Sequence, residues 1–156
     1  MAIHVVLYQP DIPANTGNIA LTCAATDTSL HLIRPLGFST DAEMIKRAGF
    51  DFWESVNITY YDSMDDFFSQ NQGEFYYIET FGEQAHSSFD FSDASKEHYF
   101  MFGKETTGLP KDLLEENKDH FLRIPMNDNV RSLNLSSTAA ILVYEALRQQ
   151  GFPHLK

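Results

Sequence analysis

Along this chain short apolar runs rich in β-branched and aromatic residues alternate with amphipathic stretches, and that alternation admits few folds. The run IHVVLY at 3–8 is stopped by Pro10 and Pro13 and predicts a buried strand. Behind it Ile19, Ala20, Cys23 and Ala24 recur at helical spacing, with Asn15 or Thr16 placed to cap the helix. LHLIR at 30–34 predicts a second strand ended by Pro35. Thr40 with Glu43 forms a capping-box pattern, so a short helix is expected over 41–48, with Gly49 ending it. NITYY at 57–61 reads as a strand, Ser63 opens a helix carrying Phe67 and Phe68, and EFYYIET at 74–80 reads as the next strand. The polar stretch 82–97 is expected to be loop. HYFMF at 98–102 then predicts a strand, Pro110 suits the first turn of a helix through Leu114, and FLRI at 121–124 is the last strand. A closing helix over 136–150 places Leu135, Ala139, Leu142, Val143 and Ala146 on one face, with Gly151 as its stop. Strands separated by helices imply an α/β fold: a mostly parallel sheet with helices on both faces.

No repeat or Pro/Gly/Ser-rich linker divides the 156 residues, so residues 1–156 are expected to form a single domain. The start MAIHVVLYQP lacks a basic leader and a long apolar run, which predicts a soluble, cytoplasmic protein with no membrane partner. The lone Cys23 cannot pair within the chain and is expected to be a small buried helix residue. The six histidines, at 4, 31, 86, 98, 120 and 154, show no ligand spacing, so no metal is expected. Trp53 with Phe50, Phe52 and Tyr60 reads as core or as a dimer surface, with base stacking the rarer use.

A net charge of −11 opposes a nucleic-acid partner, because phosphate binding normally leaves a basic footprint. Between Arg47 and Lys96 lie ten acidic residues and no Lys or Arg, so that part of the chain should face water. The positive charge gathers elsewhere, at Arg34, Lys46 and Arg47 and again at Lys104, Lys111, Arg123 and Arg131. Two copies of such a local patch in a dimer would give one RNA enough contact.

Three segments after predicted strands carry more polar and glycine residues than turns require, and open α/β sheets bind ligands there. In PDIPANTGNI at 10–19, Asn15, Thr16 and Asn18 beside Gly17 read equally as a capped helix start and as a grip on sugar or phosphate. In FGKETTGLP at 102–110, Gly103 and Gly108 permit close backbone approach around Glu105, although no phosphate-loop or dinucleotide fingerprint is present. In 124–140, Arg131, Ser132, Asn134, Ser136 and Ser137 crowd the start of an apolar helix that needs only one or two of them as caps.

Taken together, NTGNI, FGKETTGLP and IPM with RSLNLSSTAAILVYEAL resemble the three motifs of the SpoU branch of SPOUT RNA methyltransferases. RPLGF at 34–38 and KRAGFDFWE at 46–54 narrow the likeness to the minimal TrmL family, over nearly the whole chain. The resemblance implies a C-terminal deep trefoil knot, which periodicity cannot show. It implies a homodimer that 2'-O-methylates the wobble ribose of tRNA, at cytidine or modified uridine 34 of the anticodon stem-loop. It implies S-adenosylmethionine as cofactor, its adenosine lying against Ile78, Thr80, Gly103, Ile124, Ser132 and Leu133. The ribose 2'-OH would attack the sulfonium methyl in line, which calls for alignment and activation rather than for a metal. Asn15, Glu105, Arg131 and Asn134 are the catalytic candidates: Asn15 and Asn134 to hold the ribose and the third-motif turn, Glu105 to orient Arg131 or a loop amide.

One position departs from the family. Six residues after Asn15, where the pattern has an arginine, this chain has Leu21, which can neither bind phosphate nor polarise a hydroxyl. Either Arg131 takes that role, or the chain binds cofactor and RNA and methylates poorly. A ribose methyltransferase with another RNA target is the further alternative.

Overall fold

The computed structural model describes residues 2–39 and 51–156, so the helix expected over 41–48 lies outside the described residues. Within the described residues seven strands form one all-parallel sheet: β1 Ile3–Tyr8, β2 Ser29–Ile33, β3 Ile58–Tyr61, β4 Glu74–Ile78, β5 Gln84–Ala85, β6 His98–Phe102 and β7 Phe121–Arg123. Their order across the sheet is β3-β2-β1-β6-β4-β7-β5. Among the described residues four α-helices accompany them: α1 Pro13–Thr26, α2 Met64–Gln70, α3 Lys111–Glu116 and α4 Leu135–Gln149.

Alternation along β1 sorts the core into two layers. Ile3, Val5 and Leu7 point into the cluster that holds Ile19 and Cys23 of α1 and Ala139, Leu142 and Val143 of α4. Val6 points the other way, to Phe67 of α2 and the flank of α3 at Leu113 and Leu114. The sheet is therefore covered on both faces, which is why its central strands β1, β2 and β6 are buried almost throughout. Cys23 is buried as expected, and burial pushes its thiol up to about 12, so it is an inert packing residue.

Three expectations need correction. Helix α1 begins at Pro13, with Ile12 as its N-cap and no side-chain cap of its own; Asn15 and Thr16 are buried in the first turn rather than capping it. The stretch 82–97 is not all loop: Gln84 and Ala85 pair with Leu122 and Arg123, adding an edge strand too short to leave a pattern. Nor is this stretch merely polar. Phe91 is fully buried against Tyr76 and Phe100, and the backbone at 89–91 is held by Gln149 and Gln150 of α4. Of the acids expected to face water, Asp62, Asp65, Asp90 and Asp93 are exposed, whereas Glu79 turns into a cleft.

Near the cleft the backbones approach very closely. A Cβ on Gly103 would meet Gly108 Cα and Leu109 N, each at 2.5 Å, and one on Gly82 would lie 2.8 Å from the carbonyl carbon of Leu122. Strand β4 sits between β6 and β7, so the chain leaves β4, returns to its far side and comes back across it. Such close passage of loops fits the knotted arrangement that the resemblance implies.

Candidate functional site

The carboxyl ends of β1, β4, β6 and β7 open on a cleft of about 500 Å³, within the range of small-molecule sites. It receives all three polar segments. Asn15 comes from α1, Gly103 and Glu105 from the turn after β6, and Ile124, Arg131, Ser132, Leu133 and Asn134 from the segment between β7 and α4. Ile78 and Thr80 come from the end of β4. The ten residues singled out from the sequence thus line one cavity, although more than a hundred positions separate the first from the last.

Glu105 is the hub of this cleft. Its carboxylate accepts the backbone N–H of Asp11 and of Ile12, both at 2.9 Å, and the side-chain amide of Asn15 at 3.3 Å. A helix whose own N-cap is an isoleucine is thereby served by an acid from a distant loop, and the negative charge sits at the positive end of α1. Asn134 donates from its side-chain amide to Asn15 Oδ1 at 3.0 Å, while its own Oδ1 accepts the Ser136 N–H at 2.9 Å and caps α4. One hydrogen-bonded chain, Glu105–Asn15–Asn134, therefore joins the three segments. Of the two partners weighed for Glu105, loop amides are found and Arg131 is not.

Arg131 is exposed, lines the cleft, and among the described residues forms no hydrogen bond or ion pair. Lys104 also lines it and lies 3.9 Å from Asp11. Two cations thus stand at the cleft, Arg131 without a protein partner, although the whole chain is acidic. Of the other predicted cations, Arg34 stacks over Tyr60 and pairs with Asp62 at 3.2 Å, and Lys46 and Arg47 lie outside the described residues. Trp53, Phe52 and Tyr60 pack against the core rather than standing free, and Phe50 is not described.

Leu21 is half exposed on α1 and does not line the cleft. Glu79 is the residue that sequence reasoning missed: it lines the cleft, and its Oε1 accepts the Leu109 N–H at 2.8 Å. Burial raises its pKa, opposed by that backbone bond. Its signal was its position between Ile78 and Thr80. No group of three or more His, Cys, Asp or Glu among the described residues could hold a metal.

The donor set suits an adenosyl cofactor. Ile78, Phe102, Ile124, Met126 and Leu133 offer apolar walls for a purine. Carboxylate and cationic side chains supply partners for hydroxyl and amino-acid groups.

Comparison with known proteins adds to this geometry. The model of the SpoU rRNA Methylase family matches residues 2–144. The chain is 72% identical, over 97% of its length and 98% of the relative's, to a Geobacillus stearothermophilus protein provisionally named a tRNA (cytidine(34)-2'-O)-methyltransferase. It is 43% identical, over 95% of its length and 96% of the relative's, to the tRNA (cytidine(34)-2'-O)-methyltransferase of Methylovorus glucosotrophus. A solved structure bearing on the 2-OH methylation of C/U34 on tRNA superposes with a TM-score of 0.87 at 40% identity, covering 96% of both chains. The AdoMet-bound SpoU methyltransferase AviRb of Streptomyces viridochromogenes shares the fold, with a TM-score of 0.80 at 21% identity over 95% of this chain and 57% of that one.

Proposed function

This chain belongs to the SpoU rRNA Methylase family, and on that premise we propose that it is a tRNA (cytidine/uridine-34) 2'-O-methyltransferase. The observation that carries this reading is the convergence of three separated segments on one cleft, in a chain that matches a C34 methyltransferase over 95% of its length. We read residues 1–156 as one SPOUT domain with a knotted C-terminal part, acting in the cytoplasm on the anticodon stem-loop. No helix among the described residues is long and apolar enough to cross a membrane.

S-adenosylmethionine is the cofactor of this proposal, and it would supply a methyl group made electrophilic by its sulfonium. Ile78, Thr80, Gly103, Ile124, Ser132 and Leu133 would hold its adenosine. The Glu105–Asn15–Asn134 chain keeps the three walls in register, so that orientation costs little when ligands arrive. Arg131 is the cation free to meet a substrate phosphate or to favour the ionised form of a ribose hydroxyl. The test is mass-spectrometric mapping of tRNA from cells lacking the protein: wobble ribose methylation should disappear, and its persistence would refute the reading.

Exposed Leu21 on α1 and Tyr144 on α4, 50% and 46% accessible on helices that pack together, support a homodimer through this face. Sedimentation should give a dimer for the native chain and a shift toward monomer for Tyr144→Asp. Leu21 also favours a second reading, a protein that binds cofactor and RNA and transfers methyl groups weakly. Methyl transfer by the native chain and by Leu21→Arg separates the two: a rise of tenfold or more in the variant supports weak native catalysis, and high activity in both refutes it.

A further inference from the structure

Two carboxylates line the cleft, and they are not equivalent. Glu105 is engaged by two backbone amides and Asn15. Glu79 accepts a single hydrogen bond, from Leu109 N–H to Oε1, and its Oε2 has no hydrogen-bond partner among the described residues. The residue is fixed at its backbone as well: its N–H donates to the Leu122 carbonyl at 3.1 Å, and its own carbonyl accepts from Gly82 N–H at 3.2 Å. Beside it Gly108 adopts φ +74°, and a Cβ there would lie 2.8 Å from Oε1 and 3.3 Å from Oε2. Any larger residue at 108 would therefore displace the carboxylate.

A carboxylate can only accept hydrogen bonds, and Oε2, which is open to the cleft rather than sealed in the core, is placed to take a donor from a ligand seated there. Glu79 follows directly on β4, in the crevice outside the carboxyl ends of parallel strands. In dinucleotide-binding α/β sheets an acid at a comparable place takes a ribose hydroxyl. We infer that Glu79 receives the ribose diol of the adenosyl cofactor through Oε2, while Oε1 holds the Gly108–Leu109 turn. This rests on the cofactor reading of the cleft. It makes Glu79 a determinant of ribose recognition, and its negative charge complements the sulfonium cation of the same ligand.

Calorimetry of the full chain with S-adenosylhomocysteine, and with its 2'-deoxy and 3'-deoxy analogues, tests the assignment without relying on activity. Glu79→Ala should weaken S-adenosylhomocysteine binding by about tenfold to a hundredfold, the range for a hydrogen bond to a charged group. Loss of one ribose hydroxyl should cost the native chain a similar factor and cost Glu79→Ala little. Glu79→Gln keeps an acceptor for Leu109 and so the turn; it should denature near the native midpoint yet still bind more weakly. If Glu79→Gln binds every ligand as the native chain does, the carboxylate only holds the turn and the assignment falls. An undiminished hydroxyl dependence in Glu79→Ala overturns it too. Were the native chain not to bind S-adenosylhomocysteine, the cofactor reading itself would fail, an outcome distinct from either.

Discussion

Glu105 shows how a single side chain can stand in for a missing cap. Ile12 has no side-chain oxygen to offer the start of α1, and the carboxylate that serves the Asp11 and Ile12 amides arrives from 93 residues away. Glu105→Ala should leave two amides without this partner and cost about 1.5–3 kcal/mol in urea denaturation, the range for bonds to charged groups. Asn134→Ser should cost less, about 1 kcal/mol or below, because serine also caps α4 and only the contact with Asn15 is lost. At this scale the sequence was informative about membership and silent about pairing. Asn15, Glu105 and Asn134 stood out as surplus polar residues, but nothing in their spacing says that they bond to one another rather than to a sugar. Glu79 escaped notice because a lone acid at a strand end looks like a solvated one until its burial is known.

Elements were legible where burial imposes a period. The runs at 3–8, 58–61 and 98–102 are strands because they are apolar or β-branched and bounded by turn residues, and the closing helix falls within one residue of its expected bounds. Elements set by tertiary contact were not legible. The edge strand Gln84–Ala85 exists because β7 offers an unpaired edge, and the segment after it is ordered by Phe91 in the core and by the Gln149 and Gln150 amides. Phe91→Ala should therefore cost about 3–5 kcal/mol, as for a buried aromatic elsewhere, although its neighbours are polar. Gln149→Ala, which removes two bonds to the backbone at 89 and 91, should raise amide exchange across that segment while leaving β1 and β6 protected.

Across the whole molecule, a buried polar line runs through the α2-side layer: His4 Nδ1 to His31 Nε2 at 2.9 Å, then His31 Nδ1 to the Tyr61 hydroxyl at 2.8 Å. Tyr99 stacks on His4, Phe67 meets His31 edge-on, and Glu97 lies 3.5 Å from His4. Burial first, and the charge of His4 second, push His31 down to about 3 from an ordinary 6.5. The unfolded chain thus binds a proton that the folded one refuses between those values, so stability is full above about pH 6.5 and falls as the solution is acidified toward 3. This residue should contribute a slope of up to about 1.4 kcal/mol per pH unit in that window. In His31→Gln the contribution should vanish, so the stability gap between native chain and variant narrows with acid in denaturation series at pH 7, 5 and 4. The net charge of −11 told against RNA as a partner, yet it averages over the chain and says nothing of Lys104 and Arg131 meeting at one cleft. Local pattern was enough for the α/β class, the parallel sheet and the motifs that mark the family, because periodicity and residue type are properties of neighbours in sequence. The meeting of Asn15, Glu79, Glu105 and Asn134 at one cleft required the strand order β6-β4-β7, since residues far apart in the chain become partners only when the sheet sets their distance.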